Sequence, residues 1–250
     1  SDEMDKLARS LNEMLDQIER LMTGMKEVSS NVAHDLKTPL TRLRARVESA
    51  LRSDDKEEFR AALDKTIEES DRLLQTFNAL LSIARAEAGQ SRDTMQAIDA
   101  HDIVEDVAEL YAPIAEEAGG ALAVSVAKGL NVLADRQLLS QALSNLVDNA
   151  LKYGVTAQQP APRISIEGKR EGPSVVIMVS DQGLGIASED RARVVNRFVR
   201  LDESRSKEGN GLGLSLVAGV MKLHGGALVL EDNAPGLRAK LVLPLHAGPG

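Results

Sequence analysis

The sequence has 250 residues, of which 43% are hydrophobic and 27% are charged, and its net charge is −8. This length suffices for two ordinary domains, and the acidic balance argues against general nucleic-acid binding. Cysteine and tryptophan are absent and aromatic residues make up only 2%, which excludes disulfide frameworks, thiolate metal sites and aromatic platforms for single-stranded nucleic acid. Apolar runs such as VVIMV at 175–179 are too short to span a bilayer.

The first predicted element is a long helix with a coiled-coil period. From Leu7 to Val32, apolar residues recur at alternating steps of four and three, which predicts a left-handed coiled coil. The two steps from Val32 through Leu36 to Leu40 are both four, a stutter that relaxes the supercoil next to His34. His34 itself points out of the seam, about 160° around the helix from its apolar neighbours.

A second amphipathic helix follows the polar segment RSDDKEE at 52–58. Its predicted buried stripe consists of Phe59, Leu63, Ile67, Ser70, Leu74, Phe77, Leu81 and Ala84. Two helices joined by a short loop predict an antiparallel hairpin. Because neither helix can bury its stripe alone, we expect two copies of the hairpin to form a homodimeric four-helix bundle.

Beyond AEAGQSRD at 86–93, helical and extended patterns alternate. We expect helices at 101–118, 136–153 and 212–223, strands at 121–126 and 131–135, and strand hairpins at 163–181 and 227–245. This order predicts a mixed sheet with helices packed on it, an α/β two-layer sandwich that is separate from the helical hairpin.

The first of three polar motifs in this α/β region is NLVDNALKY at 145–153. Asn145, Asp148, Asn149 and Lys152 recur on one helical face. An amide oxygen can bind Mg²⁺ without adding charge, and a lysine can approach phosphate. A solvated polar face is the alternative for this helix taken alone.

The second motif, DQGLGI at 181–186, directly follows an apolar strand. Asp181 can accept a hydrogen bond from an exocyclic amine, and Gly183 and Gly185 can let the backbone approach a flat ligand closely. An ordinary turn after a strand remains the alternative.

The third motif, EGNGLGLSLV at 208–217, places Gly209, Gly211 and Gly213 before a helix. Free backbone N–H groups and a helix N-terminus together favour an anion. The basic segment at 191–207 lies between the second and third motifs and suits a mobile lid over phosphates. A solvated loop is the alternative, because acidic residues are interleaved with the basic ones.

The ordered set of motifs resembles the ATP-binding domain of the GHKL superfamily of histidine kinases, gyrase and heat-shock chaperones, over about residues 95–245. The resemblance implies that ATP and Mg²⁺ bind here. It implies that Asn149, helped by Asn145, holds the metal, that Lys152 faces phosphate, and that Asp181 binds the adenine amine. Further implied nucleotide contacts are Tyr153, Gly183, Gly185, Phe198, Arg200, Gly209, Gly211, Leu212 and Gly213.

The segment NVAHDLKTPL at 31–40 is interpreted together with the ATP-binding domain that follows it in the sequence. Beside an ATP-binding domain it resembles the phosphoacceptor box of a sensor histidine kinase. The resemblance implies that His34 takes the γ-phosphoryl group, that Asp35 orients it and accepts its proton, and that Thr38 positions water for dephosphorylation. Pro39 removes one intrahelical hydrogen bond and is expected to create a bend beside the reacting residue. A surface His34 and an ordinary helical Thr38 are the alternatives.

The N-terminal segment resembles the last helix of a HAMP signalling module. The expected division is a HAMP remnant at 1–27, a dimerisation and phosphotransfer domain at 28–90, and a catalytic ATP-binding domain at 91–250. The resemblance implies a fragment of a sensor on the cytoplasmic side of the bacterial inner membrane, anchored by an upstream helix. Its partner would be the receiver domain of a response regulator. A non-catalytic dimeric scaffold that binds ATP and a regulator that is mainly a phosphatase are the alternatives.

Overall fold

The computed structural model describes the backbone of residues 29–87, 94–195 and 213–247, and the side chains of residues 39–79, 81, 94–195 and 213–247. The chain divides into two compact units, Ser1–Leu74 and Gln75–Gly250, and each is considered by itself. The predicted HAMP remnant at 1–27 lies outside the described residues.

The first unit contains a helical hairpin. Helix α1 spans Ser29–Ala50, and helix α2 spans Lys56–Glu87 and continues into the second unit. The carboxylate of Asp55 accepts a hydrogen bond from a main-chain N–H in the first turn of α2, at 2.9 Å, and so caps this helix. An ion pair of 2.9 Å between Nη1 of Arg46 and Oε2 of Glu69 joins the two helices. The predicted hairpin is therefore confirmed.

Within the single chain, the buried residues of α2 coincide only in part with the predicted stripe, of which Phe77 and Leu81 are buried. Thr66 is fully buried, whereas 49% of the predicted Ile67 is exposed, and Leu73 is more deeply buried than Leu74. A threonine can occupy a buried position there because its Oγ1 donates a hydrogen bond to the carbonyl oxygen of Ala62 at 2.7 Å.

The second unit is an α/β sandwich, as the sequence predicts. In chain order its elements are β1 Gln96–Asp99, α3 Ala100–Glu117, β2 Ala121–Val126, β3 Asn131–Ala134, α4 Arg136–Tyr153, β4 Arg163–Glu171, β5 Ser174–Ser180, α5 Ser188–Val194, α6 Gly213–Leu223, β6 Ala227–Asp232 and β7 Leu237–Pro244. Five strands form a mixed sheet in the order β2–β4–β5–β7–β6, and only the β2–β4 pair is parallel.

Two of these elements were not predicted. Strand β1 forms a separate two-stranded antiparallel sheet with β3, in which Ile98 lies opposite Val132. It has four residues and one buried side chain, so its sequence carries no visible alternation. Helix α5 begins at Ser188 and overlaps the first residues of the segment at 191–207 that was predicted to be a lid.

A hydrophobic core lies between the five-stranded sheet and the helices α3, α4 and α6. Its largest fully buried side chains are Ile103, Leu139, Leu143, Ile166, Ile177, Leu216, Met221, Leu241 and Leu243. Helices α4 and α6 pack against each other on this face. This packing places the first motif, on α4, beside the described end of the third motif, at the start of α6.

Candidate nucleotide-binding site

Helix α4 supplies the first motif. It begins at a cap in which the Asp135 carboxylate accepts a hydrogen bond from the N–H of Leu138 at 3.0 Å. The apolar face of α4 is buried in the core. The remaining face carries the polar residues Asn145, Asp148, Asn149 and Lys152, all of which are half-buried. The predicted shared face is therefore present, and it lies at the edge of the core rather than in open solvent.

The two asparagines of α4 differ in their surroundings. Nδ2 of Asn145 is buried and has no hydrogen-bond partner in the described part of the chain. A buried amide donor without a partner is costly, so this atom favours a polar ligand. Asn149 lies beside the start of α6, because a methyl group placed on Gly213 would be 3.6 Å from its Nδ2 and 3.7 Å from its Oδ1. The first and third motifs therefore meet at Asn149.

Asp181 directly follows β5, and the turn around it holds its side chain. Its Oδ1 accepts hydrogen bonds from the N–H groups of Gly183, at 2.9 Å, and Leu237, at 3.1 Å. Only 7% of the residue is exposed. Burial raises the pKa of this carboxyl above its usual value, although the two N–H donors act in the opposite direction. The second carboxylate oxygen receives no hydrogen bond from the residues that the structure describes, and it is the atom available to a ligand.

The glycines of the second motif permit close contacts between backbone segments. A side chain on Gly183 would place its Cβ 2.1 Å from the carbonyl oxygen of Tyr153 at the end of α4. Gly185 has a φ of +70°, and a Cβ there would lie 2.8 Å from the carbonyl oxygen of Gly236. These contacts bring the second motif against the first and against the β6–β7 turn. The sequence predicted that Gly183 and Gly185 let the backbone approach a flat ligand. In the structure, the close contacts of both glycines are with other backbone segments of the protein.

Some residues of the site carry no motif. Gly154 packs on Asp181, since a Cβ there would lie 2.7 Å from the Asp181 Cβ. Asn233 donates a hydrogen bond from Nδ2 to the main-chain oxygen of Asp181 at 2.7 Å. The sequence signal for Gly154 was its place after a helix, and the signal for Asn233 was only a turn, NAPG, so neither indicated a contact with Asp181.

The remaining predicted site residues fall into three groups. Lys152 and Tyr153 are half-buried in the last turn of α4. Phe198, Arg200, Gly209, Gly211 and Leu212 lie outside the described residues. His34, Asp35 and Thr38 belong to the continuous helix α1, in which only their backbone is described. His34 and Thr38 are one helical turn apart, and Pro39 lies inside the helix and is buried.

Two family models match the chain. Residues 24–89 match the His Kinase A phosphoacceptor domain. Residues 134–247 match the Histidine kinase-, DNA gyrase B-, and HSP90-like ATPase. The first match contains α1 and most of α2, and the second contains the three motifs that meet around Asn149 and Asp181.

Curated relatives match almost the whole chain. The sensor protein IrlS of Burkholderia pseudomallei is 36% identical over 99% of this chain and 53% of its own length. The sensor histidine kinase CusS of Escherichia coli O157:H7 is 32% identical over 97% of this chain and 50% of its own length. The chain thus spans about half the length of these relatives.

Among solved structures, full-length ShkA in complex with AMPPNP is similar, with a TM-score of 0.61 and 26% identity. The match covers 88% of this chain and 46% of ShkA. Within the residues that the structure describes, no helix combines the length and the apolar character that crossing a membrane requires.

Proposed function

Since the chain belongs to the sensor histidine kinases, we propose that it uses ATP to phosphorylate its own His34 and passes the phosphoryl group to an aspartate of a response regulator. One observation carries this proposal. Helix α4 joins three motifs that are far apart in sequence: the Asp181 turn packs on the end of α4 at Gly154, and Asn149 of the same helix lies beside Gly213. The same chain carries HDLKTPL in helix α1.

The base end of the nucleotide is assigned to Asp181. Its unpartnered oxygen accepts a hydrogen bond from the exocyclic amine of adenine, and the two N–H groups on the other oxygen fix the orientation of the carboxylate. A guanine would present a carbonyl oxygen at that position, which repels the carboxylate. Tyr153 and the DQGLGI turn border the base, because Gly183 packs against the end of α4.

The phosphate end of the nucleotide is assigned to the side of the site that carries Asn145 and Asn149. Mg²⁺ is bound in proteins through a few oxygen ligands together with substrate phosphates. The amide oxygen of Asn149 fits that role, and Asn145 contributes either its amide oxygen to the metal or its unpartnered Nδ2 to a phosphate oxygen. When bound, the metal neutralises charge that develops on the phosphates. Lys152 approaches the same phosphates.

We further propose that the segment between α5 and α6 closes over the nucleotide. Phe198, Arg200, Gly209, Gly211 and Leu212 belong to this segment, and Gly213 ends it beside Asn149. The glycine N–H groups and the start of α6 would face the phosphates, since a helix N-terminus favours negative charge. Arg200 would add a cation at the same end of the site.

The chemistry at His34 is a phosphoryl transfer. A lone pair on one imidazole nitrogen attacks the γ-phosphorus, an N–P bond forms, and the bond to the bridging oxygen breaks, so that ADP leaves with that electron pair. The proton on the imidazole passes to Asp35. In the second reaction the N–P bond breaks as a carboxylate oxygen of the response regulator takes the phosphoryl group.

We propose that the domain borders at 27/28 and 90/91 separate the HAMP-like, phosphotransfer and catalytic parts. The hairpin is proposed to dimerise, and the large exposed fractions of Leu51 and Ile67 in the single chain support this. We also propose that the whole protein is anchored in the bacterial inner membrane by a segment upstream of this chain and that the present residues lie on its cytoplasmic side.

Incubation with Mg²⁺ and ATP labelled in the γ-phosphate tests the kinase proposal. The expected product is a phosphoprotein whose label is lost in acid and retained in base, and mass spectrometry under non-acidic conditions should place it on His34. His34→Gln should abolish the label while nucleotide binding persists. Label that persists on this variant would refute His34 as the acceptor, and an absence of Mg-ATP binding by the parent protein would favour a non-catalytic scaffold.

A phosphatase activity is the second candidate function, supported by the position of Thr38 one helical turn after His34. Thr38 would hold the water that attacks the phosphorylated aspartate. Thr38→Ala should therefore slow dephosphorylation of the response regulator and leave labelling of His34 unchanged. Full retention of phosphatase activity by this variant would count against the role. Slow labelling of His34 together with fast dephosphorylation by the parent protein would indicate a regulator that acts mainly as a phosphatase.

A further inference from the structure

A row of hydrogen-bonded polar side chains begins at the main chain of Asp181. Asn233, in the β6–β7 turn, donates from Nδ2 to the main-chain oxygen of Asp181 at 2.7 Å. Its Oδ1 accepts a hydrogen bond from Nη2 of Arg238 at 2.8 Å. Arg238 in turn donates from Nε to Oγ of Ser180 at 3.3 Å. Both ends of the Asn233 amide are therefore used, and this fixes its orientation.

This hydrogen-bonded row of side chains lies on the face of the sheet that is opposite to the helices. Ser180 and Arg238 face each other in the register of β5 and β7. Their neighbours Val179 and Ala239 belong to the hydrophobic core under the helices. Because side chains alternate along a strand, Ser180 and Arg238 point away from that core. Arg238 therefore supports Asp181 from the rear of the sheet, whereas a nucleotide would meet Asp181 from the side of α4 and α6.

The β6–β7 turn contacts Asp181 at several atoms at once. The N–H and the carbonyl oxygen of Leu237 bond to Oδ1 and to the N–H of Asp181, at 3.1 and 3.0 Å. Gly236, with a φ of +107°, lies so close that a Cβ there would be 2.0 Å from the Asp181 carbonyl oxygen. The N–H of Asn233 closes the turn on the oxygen of Gly236 at 3.0 Å. The position of the β6–β7 turn therefore determines the position of the Asp181 main chain.

We propose that Asn233 and Arg238 are positioning residues that set the selectivity of the site for adenine over guanine. This inference rests on the proposed contact between Asp181 and the adenine amine. Hydrogen-bond strength falls steeply with misalignment, and a polar site discriminates between bases only while its acceptor is held in place. By fixing the backbone of Asp181, Asn233 and Arg238 keep the free carboxylate oxygen where it accepts from an amine and repels a carbonyl.

Asn233→Asp tests the inference because it changes only one end of the amide. The new carboxylate still accepts from Arg238, but it places an oxygen against the main-chain oxygen of Asp181. Isothermal titration of the full chain with Mg-ATP and with Mg-GTP should show ATP affinity reduced about fivefold, the loss expected for one hydrogen bond. GTP affinity should change less than about twofold. The ratio of the two affinities should therefore fall.

Val229→Ala is the matched control. It shortens an exposed side chain of the same strand hairpin, at a position opposite Lys240, and leaves Asn233, Arg238 and Asp181 in place. The ATP-to-GTP ratio of this variant should remain parental. An equal loss of ratio in the control would show that the hairpin as a whole is responsible, which would overturn the assignment to Asn233.

The outcomes separate this inference from the proposed function. If Asp181→Asn leaves ATP affinity unchanged, the adenine contact itself is wrong. If Asp181→Asn weakens ATP binding and Asn233→Asp lowers only the folded fraction while the affinity ratio stays constant, Asn233 is purely structural and the inference fails. Should Asn233→Asp not fold, Arg238→Gln decides, since it leaves Asn233 in place but removes the fork that orients its amide. A twofold to threefold fall in the ratio is expected for it, on the order of half a hydrogen bond, and an unchanged ratio would overturn the inference.

Discussion

Nε2 of His224 accepts a hydrogen bond from the main-chain N–H of Asp135 at 3.0 Å, which ties the end of α6 to the residue that caps α4. The other ring nitrogen, Nδ1, lies 2.6 Å from the carbonyl oxygen of Val220. Because a carbonyl oxygen only accepts and an N–H only donates, these partners fix the neutral tautomer with its proton on Nδ1. Burial lowers the pKa of this histidine below its ordinary value of 6.5.

The stability of the α/β unit is expected to fall in mildly acidic solution because of His224. The lowered pKa means that the unfolded chain takes up a proton before the folded one does, so the stabilisation is complete above pH 6.5 and is lost as the pH falls below it. The limiting slope is about 1.4 kcal/mol per pH unit. Urea unfolding of the parent and of His224→Gln at neutral pH and at about pH 5.5 measures this slope.

His224→Gln should be less stable at neutral pH and should have a shallower dependence on pH in this range. His246→Gln is the control, since the main-chain N–H of His246 donates to Asn131 and a glutamine keeps that bond. An identical slope in the parent and in His224→Gln would contradict the prediction.

Asp181→Asn is expected to weaken nucleotide binding without weakening the fold. Because the pKa of Asp181 is raised in the folded chain, its ionised carboxylate lowers the free energy of unfolding at neutral pH. This loss diminishes as the pH falls through the raised pKa of the folded state, and it is gone below the ordinary aspartate pKa of 3.8. The asparagine oxygen can still accept from Gly183 and Leu237, which leaves an NH₂ group facing the adenine amine. Mg-ATP affinity should fall by about tenfold to a hundredfold, whereas the free energy of unfolding at neutral pH should stay equal or rise. A variant that unfolds more easily than the parent would contradict this account.

Gly183→Ala should damage both the fold and the site. The added Cβ would lie 2.1 Å from the carbonyl oxygen of Tyr153, and since that atom is backbone it cannot move aside cheaply. Overpacking of this kind costs about 1–3 kcal/mol. Thermal unfolding and Mg-ATP titration should both show the loss. Gly172→Asn is the control, because its φ of +59° suits asparagine and a Cβ there meets nothing within 4 Å. Parental values for Gly183→Ala would disprove the close contact.

Pro39→Ala is expected to alter the balance between kinase and phosphatase rates. Pro39 lies within α1, lacks an N–H and crowds the preceding turn, which costs about 3 kcal/mol relative to alanine. Alanine should strengthen the helix beside His34 and remove the weak point at which we expect α1 to bend. The ratio of the autophosphorylation rate to the dephosphorylation rate measures the effect. Ser49→Ala, at an exposed position of the same helix, should leave the ratio unchanged. Parental rates for both activities in Pro39→Ala would remove the hinge hypothesis.

Local sequence patterns were enough to predict most elements of the fold. The helix at 136–153 and the two strand hairpins at 163–181 and 227–245 follow from periodicity and turn residues, which act over a few neighbouring positions. The motifs around Asn149 and Asp181 indicated a nucleotide site because their residue types suit metal, phosphate and amine. Strand β1 escaped prediction because four residues with one buried side chain show no period.

Tertiary packing decided the features that depend on distant residues. Whether Thr66 or Ile67 is buried in α2 depends on the phase of the helix against its partner, and a hydroxyl that bonds to its own backbone makes the polar choice tolerable. Asn233 and Arg238 belong to no sequence motif. Their contacts arise from the pairing of β7 with β5 and from the packing of the β6–β7 turn on Asp181, so the local sequence does not indicate their role. The sequence alone determined which chemical groups and local elements this protein has. Only the tertiary structure decided which of them touch, because long-range pairing is set by the packing of whole faces rather than by neighbours along the chain.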